Sequence, residues 1–272
     1  MSAATATLIL GDAADMACIG TGDAHLVLTS PPYFPDDMVS ELAGSRRRQI
    51  DPDAAWRRLE AFGRSLKDVF REMSRVVGRV GLCCIETKDI AYGDFRLPLA
   101  ALHGALARDA GLWVRSSLQF RATGVKPAHL PSCVSGPRPG SFRTLDVSTV
   151  LICGGARWTP RDLPALAMSR PAMLEMIHPY WRLTPARTAR IHEHQSPPSL
   201  VRRLIELLTV PGDLVVDPFA GSAQTLRIAR DLGRMAIGYE KDPERHALAS
   251  AAMVDIRRPK RGRSRARTGS RA

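Results

Sequence analysis

The stretch that decides the fold is Leu214–Ser222, which reads LVVDPFAGS. Its first three residues are apolar and predict a short buried strand, and Asp217–Ser222 contains the proline and glycine typical of a turn. The following residues, Ala223–Leu232, have the periodicity of a helix, and Gly233 is a common helix terminator. The stretch therefore predicts the strand, turn and helix that open a nucleotide-type α/β unit.

A second predicted strand, Met235–Tyr239, follows and ends at Glu240. An acidic residue at the end of this strand is typical of a hydrogen bond to ribose hydroxyls. The unit has no G-x-G-x-x-G sequence, which argues against a dinucleotide because a pyrophosphate needs close glycines at a helix N-terminus. S-adenosylmethionine has a ribose and no phosphate, and Asp217 in the turn suits its ammonium group. The alternative is an unrelated βαβ unit in which the acidic side chain of the turn is hydrogen-bonded within the protein.

A second cluster, Ser30–Tyr33 (SPPY), follows the apolar run His25–Thr29. Proline has no backbone N–H, so the two prolines leave a turn that presents carbonyl acceptors and few donors. An exocyclic base amine is a poor nucleophile, and acceptors such as Ser30 Oγ and the Pro31 carbonyl can help to localise its lone pair. Tyr33 offers an aromatic face to a base rotated out of its stack. The alternative is a corner in which the prolines merely end a strand.

In the chain, Ser30–Tyr33 precedes Leu214–Ser222. In this order the two clusters resemble the permuted, β-class amino DNA methyltransferases, in which the catalytic S/D/N-P-P-Y half precedes the cofactor half. The resemblance covers most of residues 7–255. It implies one α/β domain, a Rossmann-like S-adenosylmethionine-dependent methyltransferase sheet with helices on both faces and circularly permuted motif order. It also implies that the protein binds double-stranded DNA and flips the target base out of the duplex. Whether a restriction endonuclease is a further partner stays open. The other segments that carry it are Leu8–Asp12, Ser65–Glu86, His192–Pro197, Leu200–Leu208 and Pro211–Asp213.

The resemblance also implies site residues. The implied catalytic residues are Ser30, Pro31, Pro32 and Tyr33, and the implied cofactor-binding residues are Asp12 near the adenine, Asp217, Phe219, Gly221, Ser222 and Glu240. Serine at the first catalytic position is more often associated with cytosine N4, and aspartate with adenine N6. The preferred expectation is therefore a site-specific DNA methyltransferase that modifies cytosine N4. Methylation of adenine N6 in DNA, or of an amino group in RNA, stays open.

The cofactor turn departs from the family's usual D-P-F-x-G-S-G-T-T, because Ala223 and Gln224 follow Ser222. A methyl group at position 223 would be expected to crowd the methionine part of the cofactor. A rival expectation is therefore a degenerate, non-catalytic DNA-binding protein of the same fold. Methylation at cytosine C5 is disfavoured, because that reaction needs a cysteine thiolate and no cysteine of this chain follows a proline.

Composition is consistent with one domain. At 272 residues and 44% hydrophobic content, the chain can bury one α/β core, and two independent domains would each have only a small core. The absence of a long apolar run or a signal-peptide pattern predicts a cytoplasmic protein. Five cysteines without a C-x-x-C spacing predict neither a disulfide framework nor a zinc site. The sequence at 192–194, His-Glu-His, is a weak metal motif, and no metal is expected.

Positive charge is concentrated in three places. The segment 256–272 contributes eight of the twelve surplus charges, so it predicts a disordered basic tail after a domain of residues 1–255. Arg46, Arg47 and Arg48 lie in Phe34–Gln49, a predicted mobile loop over the active site. The proline-rich segment 121–190 is the predicted DNA-facing recognition segment, with loops rather than long helices. Its arginines include Arg138, Arg143, Arg157, Arg161, Arg170, Arg182, Arg187 and Arg190, and its Trp158, Tyr180 and Trp181 either stack on bases or pack.

Overall fold

The computed structural model describes residues 4–32, 51–92, 95–122, 147–162, 169–183 and 196–254. The strands are β1 (Ala6–Leu10), β2 (Leu26–Thr29), β3 (Leu82–Thr87), β4 (Ile90–Tyr92), β5 (Phe95–Leu97), β6 (Leu112–Ala122), β7 (Ser148–Gly155), β8 (Tyr180–Leu183), β9 (Leu214–Asp217) and β10 (Met235–Glu240). The helices are α1 (Pro52–Ser65), α2 (Lys67–Val77), α3 (Leu99–Asp109), α4 (Arg170–Ile177), α5 (Pro198–Leu208), α6 (Gln224–Asp231) and α7 (Pro243–Val254).

Within the described residues, eight strands form one sheet in the order β1-β10-β9-β2-β3-β7-β6-β8. From β1 to β3 in this order the neighbouring strands are parallel, whereas β7 is antiparallel to both β3 and β6. β8 pairs in parallel with β6, and β4 and β5 form a separate antiparallel pair. The five parallel strands end at the same edge of the sheet, where open α/β folds bind their ligands. We call it the carboxyl edge.

Helices cover both faces of the sheet, as predicted. On one face, α2 and α3 contribute Phe70, Met73 and Leu106 to a first core. On the other face, α5 and α6 contribute Leu204 and Leu226 to a second core. Because the central parallel strands are covered on both sides, they consist almost entirely of apolar residues. The predicted α/β fold class is therefore confirmed.

The predicted strand, turn and helix are present as β9, a turn and α6. All four residues of β9 are buried, and α6 begins at Gln224. Gly233 follows α6 with a φ of 82°, a left-handed conformation that glycine adopts without strain. On β10, a Cβ at Gly238 would lie 2.8 Å from both Ala220 Cβ and Leu226 Cδ1. The missing side chain therefore lets the turn and α6 pack directly on the sheet.

Part of the predicted recognition segment, residues 121–190, belongs to the sheet. Strand β7 lies between β3 and β6, and its residues Val150 and Cys153 are fully buried in the two cores. The rest of the described segment contains α4, with eight residues, and the short strand β8. A DNA-facing role therefore stays a prediction for the residues outside β7.

None of the helices in the described ranges is long and apolar enough to cross a membrane. In the same ranges, no group of three or more His, Cys, Asp or Glu side chains is placed to hold a metal ion. The 192–194 motif and the basic tail, residues 256–272, lie outside the described residues.

Candidate active site

The two sequence clusters meet at the carboxyl edge, where β2 and β9 are neighbours. Thr29 Oγ1 donates a 2.8 Å hydrogen bond to Asp217 Oδ1. The same carboxylate oxygen accepts from the backbone N–H of Phe219 at 3.2 Å, and the Thr225 side chain also hydrogen-bonds to Asp217. The residue immediately before Ser30 is thereby joined to the turn that sequence analysis assigned to the cofactor.

Asp217 is an unusually basic carboxylate. Its burial raises its pKa to about 6, although the hydrogen bonds from Thr225, Thr29 and the Phe219 N–H act in the opposite direction. The negative charge of Glu240 adds to the upward shift. A cation next to Asp217 would relieve this desolvation, so its surroundings are compatible with its predicted role toward an ammonium group.

Glu240 connects three parts of the carboxyl edge. Its Oε2 accepts from Gly221 N at 3.1 Å, its Oε1 accepts from Asp242 N at 2.9 Å, and its backbone carbonyl accepts from Gly11 N at 3.1 Å. Each carboxylate oxygen has more than one lone-pair direction, so the side chain can still accept a bond from a hydroxyl group. A Cβ at Gly221 would meet only the Phe219 carbonyl, at an ordinary contact distance of 3.9 Å, so the surroundings of this position are uncrowded.

Three adjacent strands, β1, β10 and β9, each have an acidic residue at or just after their carboxyl end. They are Asp12, Glu240 and Asp217. Asp12 is exposed, and its Oδ1 accepts from Ala14 N at 2.9 Å, which stabilises the turn after β1. This acidic edge is unfavourable for a phosphate and favourable for a cationic ligand that also carries hydroxyl groups.

Ala223, the departure from the family pattern, has a left-handed backbone with φ 55° and ψ 27°. It is the only non-glycine residue with positive φ in the described ranges. This conformation explains why the pattern has glycine there, since a side chain costs about 1–2 kcal/mol in the left-handed region. The Ala223 side chain is fully buried in the second core with Leu226 and Ala229. The expected crowding of the cofactor would need this methyl group to face out of the core, whereas the core encloses it.

Sequence reasoning missed Glu86, a buried carboxyl near the end of β3. Ser196 Oγ donates to Glu86 Oε2 at 2.5 Å, and Gln224 Nε2 donates to the Ser196 carbonyl at 2.8 Å. Burial raises the pKa of Glu86 to about 7; the Ser196 bond acts downward and the Asp217 charge upward. The signal that would have found it is an acidic residue at the end of an apolar strand, LCCIE, beside the strand that leads to Ser30.

The implied catalytic residues are only partly described. Ser30 follows β2 directly and is partly buried, Pro31 is buried, and Pro32 is exposed. Ser222, an implied cofactor residue, is buried in the turn before α6. Tyr33, Arg46, Arg47, Arg48, Arg138 and Arg143 lie outside the described residues, so their roles stay predictions.

One arginine assigned to the basic zone has a structural partner instead. Arg161 donates two hydrogen bonds to Asp213, at 2.7 and 2.9 Å, at the amino end of β9. His25 Nε2 lies 3.3 Å from the same carboxylate. The described contacts support a structural role for Arg161, because its guanidinium neutralises a buried carboxylate at the edge opposite the candidate site.

The two tryptophans of the middle segment are engaged with the protein. Trp158 Nε1 donates to the Val80 carbonyl at 3.2 Å. Trp181 is 3% exposed, and the guanidinium carbon of Arg203 lies 5.4 Å from its ring centroid. Of the two roles left open by the sequence, packing is the one that the described contacts support for these two side chains.

The sequence of this chain is similar to those of known DNA methylases. A family described as DNA methylase matches residues 168–251. The type II methyltransferase M.MjaI of Methanocaldococcus jannaschii is 27% identical over 270 residues, which cover 86% of each chain. The type II methyltransferase M.HindIII of Haemophilus influenzae is 49% identical over a shorter stretch, which covers 19% of this chain and 16% of the relative.

Two solved structures share the fold. A Thermus thermophilus protein described as a DNA modification methylase, complexed with S-adenosyl-L-methionine, has a TM-score of 0.71 at 24% identity and covers 92% of this chain and 94% of its own. The cytosine-N4-specific PvuII DNA methyltransferase has a TM-score of 0.66 at 18% identity and covers 93% and 92%. This chain is therefore similar to the DNA methylase family over residues 168–251 and to a type II methyltransferase over most of its length, and it shares the fold of the two solved structures.

Proposed function

We propose that the protein transfers a methyl group from S-adenosylmethionine to the exocyclic N4 of a flipped cytosine in double-stranded DNA. The observation that carries the proposal is the hydrogen bond between Thr29 and Asp217, because it joins the two halves of the site at one edge. On one side of this bond lie the acceptors of the S-P-P turn. On the other side lies the acidic turn, which is uncrowded at Gly221.

The residues at the acidic turn fit S-adenosylmethionine. Glu240 has acceptor capacity for ribose hydroxyls, Asp217 carries the charge that suits an ammonium group, and Asp12 lies at the end of the neighbouring strand. The site offers negative charge, which fits a cationic ligand without phosphate groups. Bound there, S-adenosylmethionine supplies an activated sulfonium methyl group, so positioning of the amine accounts for much of the acceleration.

The amine site is assigned to Ser30 and the Pro31 carbonyl. Both follow β2 at the carboxyl edge, directly after Thr29, and both have the lone pairs to accept a hydrogen bond from an N–H. By holding the two hydrogens of the amine, they favour the geometry in which its lone pair faces the methyl group. A base inside a duplex is out of reach, so the target must flip out, at a cost of a few kcal/mol of lost stacking and pairing. Tyr33 is the proposed stacking partner.

The choice of cytosine rests on serine at position 30, which in this family is more often associated with cytosine N4. Adenine N6, in DNA or RNA, is the second candidate, because the acceptor geometry serves either amine. The degenerate, non-catalytic candidate was motivated by Ala223 and Gln224. The described contacts weaken it: the Ala223 methyl group packs in the core, and Gln224 forms a hydrogen bond that stabilises the site.

The test is to incubate the purified protein with S-adenosylmethionine carrying a labelled methyl group and mixed-sequence duplex DNA, then to identify labelled nucleosides by mass spectrometry. We expect label on N4-methylcytosine. Label on N6-methyladenine would overturn the base assignment and keep the reaction. If no base in DNA or RNA is labelled and calorimetry detects no S-adenosylmethionine binding, the degenerate candidate replaces this proposal. The Ser30→Ala variant is the matched control, and it should bind the cofactor and lose most of the label.

A further inference from the structure

We propose that Glu86 accepts the proton that the exocyclic amine loses when it is methylated. This inference rests on the proposed function and adds a catalytic residue to it. The need for such a group is chemical: when the nitrogen lone pair forms a bond to the methyl carbon, the nitrogen becomes cationic. Its N–H bond then breaks, the electron pair returns to nitrogen, and the proton forms an O–H bond on an acceptor.

The sheet register places Glu86 beside the catalytic turn. Leu28 of β2 is paired with Cys84 of β3, and both side chains belong to the second core. Alternation along parallel strands then puts Ser30 and Glu86, each two residues further on, at neighbouring positions on this same face. Glu86 is also paired with Val150 of β7, a third member of the second core, which confirms the face.

Hydrogen bonds hold Glu86 in place and leave it acceptor capacity. The Ser196 hydroxyl donates to Oε2 at 2.5 Å, and Gln224 donates to the Ser196 carbonyl at 2.8 Å. The orientation of the Glu86 side chain therefore depends on these contacts from the segment before α5 and from the start of α6. Among the described hydrogen bonds, Oε1 of Glu86 has no protein donor, and it is available to a proton from the amine side.

The charges around Glu86 suit reversible proton uptake near neutral pH. Glu86 is 7% exposed, and burial raises the pKa of its carboxyl to about 7. Asp217 on β9 is the charged group that acts on it, and it acts in the same direction. The other elements packed there contribute uncharged groups, namely Val150 from β7, Ser196 before α5 and Gln224 from α6. A base whose pKa lies near the working pH accepts a proton and releases it to solvent again without a large barrier.

The test compares single-turnover methylation by the wild type and three variants between pH 5.5 and 8.5. Glu86→Gln keeps the acceptor for Ser196 and removes the titratable oxygen. We expect its rate to fall by about 10²–10⁴-fold, with S-adenosylmethionine and DNA affinities within about threefold of the wild type. Glu86→Asp should restore part of the rate. Ser196→Ala removes the bond that lowers the pKa, so the midpoint of its pH profile should move upward.

A readout independent of turnover is NMR titration of the protein labelled with ¹³C at glutamate carboxyl carbons, which excludes signals from Asp217. We expect one glutamate to titrate near neutral pH in the wild type and to be missing in Glu86→Gln. A wild type that labels a base while Glu86→Gln keeps the rate and the pH midpoint would overturn this inference alone, as would the absence of a glutamate titrating near neutral pH. A wild type that labels no base would overturn the proposed function, and this inference with it.

Discussion

The hydroxyl of Thr29 and the carboxylate of Asp217 are 2.8 Å apart, although 188 positions separate the two residues in the chain. Thr29 ends β2 and Asp217 ends β9, and both side chains are buried. Their hydrogen bond joins the turn proposed to hold the amine to the turn proposed to hold the cofactor. The distance between the reacting groups therefore depends on a contact inside the protein as well as on ligand binding.

Replacing Thr29 by valine, which has nearly the same shape, tests this bond. Thr29→Val leaves a buried carboxylate with one donor fewer, so we expect the free energy of unfolding to fall by roughly 1.5–3 kcal/mol. Thr29→Ser keeps the hydroxyl and loses one methyl group, which should cost about 0.8 kcal/mol. Urea denaturation at pH 8, where Asp217 is ionised, measures both. Equal stability of the two variants would show that the bond contributes little.

Ser30 and Glu240 should affect different kinetic constants. Ser30→Ala should lower turnover by about 10²-fold, with little change in cofactor affinity, because its hydroxyl acts on the amine. Glu240→Ala should weaken S-adenosylmethionine binding by about tenfold or more, because it removes an acceptor and releases Gly221 N. Steady-state kinetics and calorimetry separate the two effects. Equal effects of both substitutions on both constants would contradict these roles.

Ala223 tests whether the departure from the family pattern impairs the site. Ala223→Gly removes the strain of a side chain on a left-handed backbone, which costs about 1–2 kcal/mol. It also removes a buried methyl group, which stabilises the fold by about 0.8 kcal/mol. We therefore expect unfolding free energy to change by less than about 1 kcal/mol, and S-adenosylmethionine affinity to stay within about threefold. Ala223→Val should destabilise by more than about 2 kcal/mol, because a β-branched residue is strained there. A large gain in affinity for Ala223→Gly would show that the methyl group does crowd the cofactor.

Arg161 should matter for stability. Burial acts to raise the pKa of Asp213, but the hydrogen bonds from Arg161 and Val210 N, with the nearby charges of His25 and Arg161, lower it overall. Arg161→Ala leaves this carboxylate with less compensation, so we expect a loss of roughly 2–4 kcal/mol in urea denaturation. The exposed Arg157 is the matched control, and Arg157→Ala should change stability by less than about 0.5 kcal/mol. Similar stability of the two variants would argue against a structural role.

His103 should make stability depend on pH in the acid range. Burial lowers its pKa to about 4, its Nδ1 lies 2.9 Å from Thr87 Oγ1, and its Nε2 is buried without a hydrogen-bond partner. Because the unfolded chain binds the proton more tightly, the contribution of His103 is complete above pH 6.5 and is lost as the pH falls toward 4. The total approaches roughly 3 kcal/mol.

The measurement for His103 is the unfolding free energy from pH 7 to pH 4, compared between the wild type and His103→Asn. The asparagine can keep the bond to Thr87 and does not titrate. Because Asp217 and Glu86 have raised pKa values, they contribute stability that is lost as pH rises, and the comparison between variants cancels their opposite effect. Parallel curves for the two proteins would exclude His103 as the source of acid sensitivity.

The sequence by itself determined the local elements and their order. The apolar run Leu214–Val216, followed by a proline turn, predicted a short buried strand, and β9 is present there. The apolar run His25–Thr29, which precedes the other proline turn, contains β2. The glycine after α6 and the acidic end of β10 were also readable. These features depend on periodicity and backbone preferences, which act between residues close in the chain.

Only the tertiary structure decided which distant residues meet. The burial of Glu86, its bond to Ser196 and the pairing of Arg161 with Asp213 depend on contacts between segments far apart in sequence. The place of β7 between β3 and β6 likewise depends on strand pairing, which no local pattern specifies. The charge state of a carboxyl or the partner of an arginine follows from burial and neighbours. Those are properties of the packed chain, and local sequence patterns do not encode them one by one.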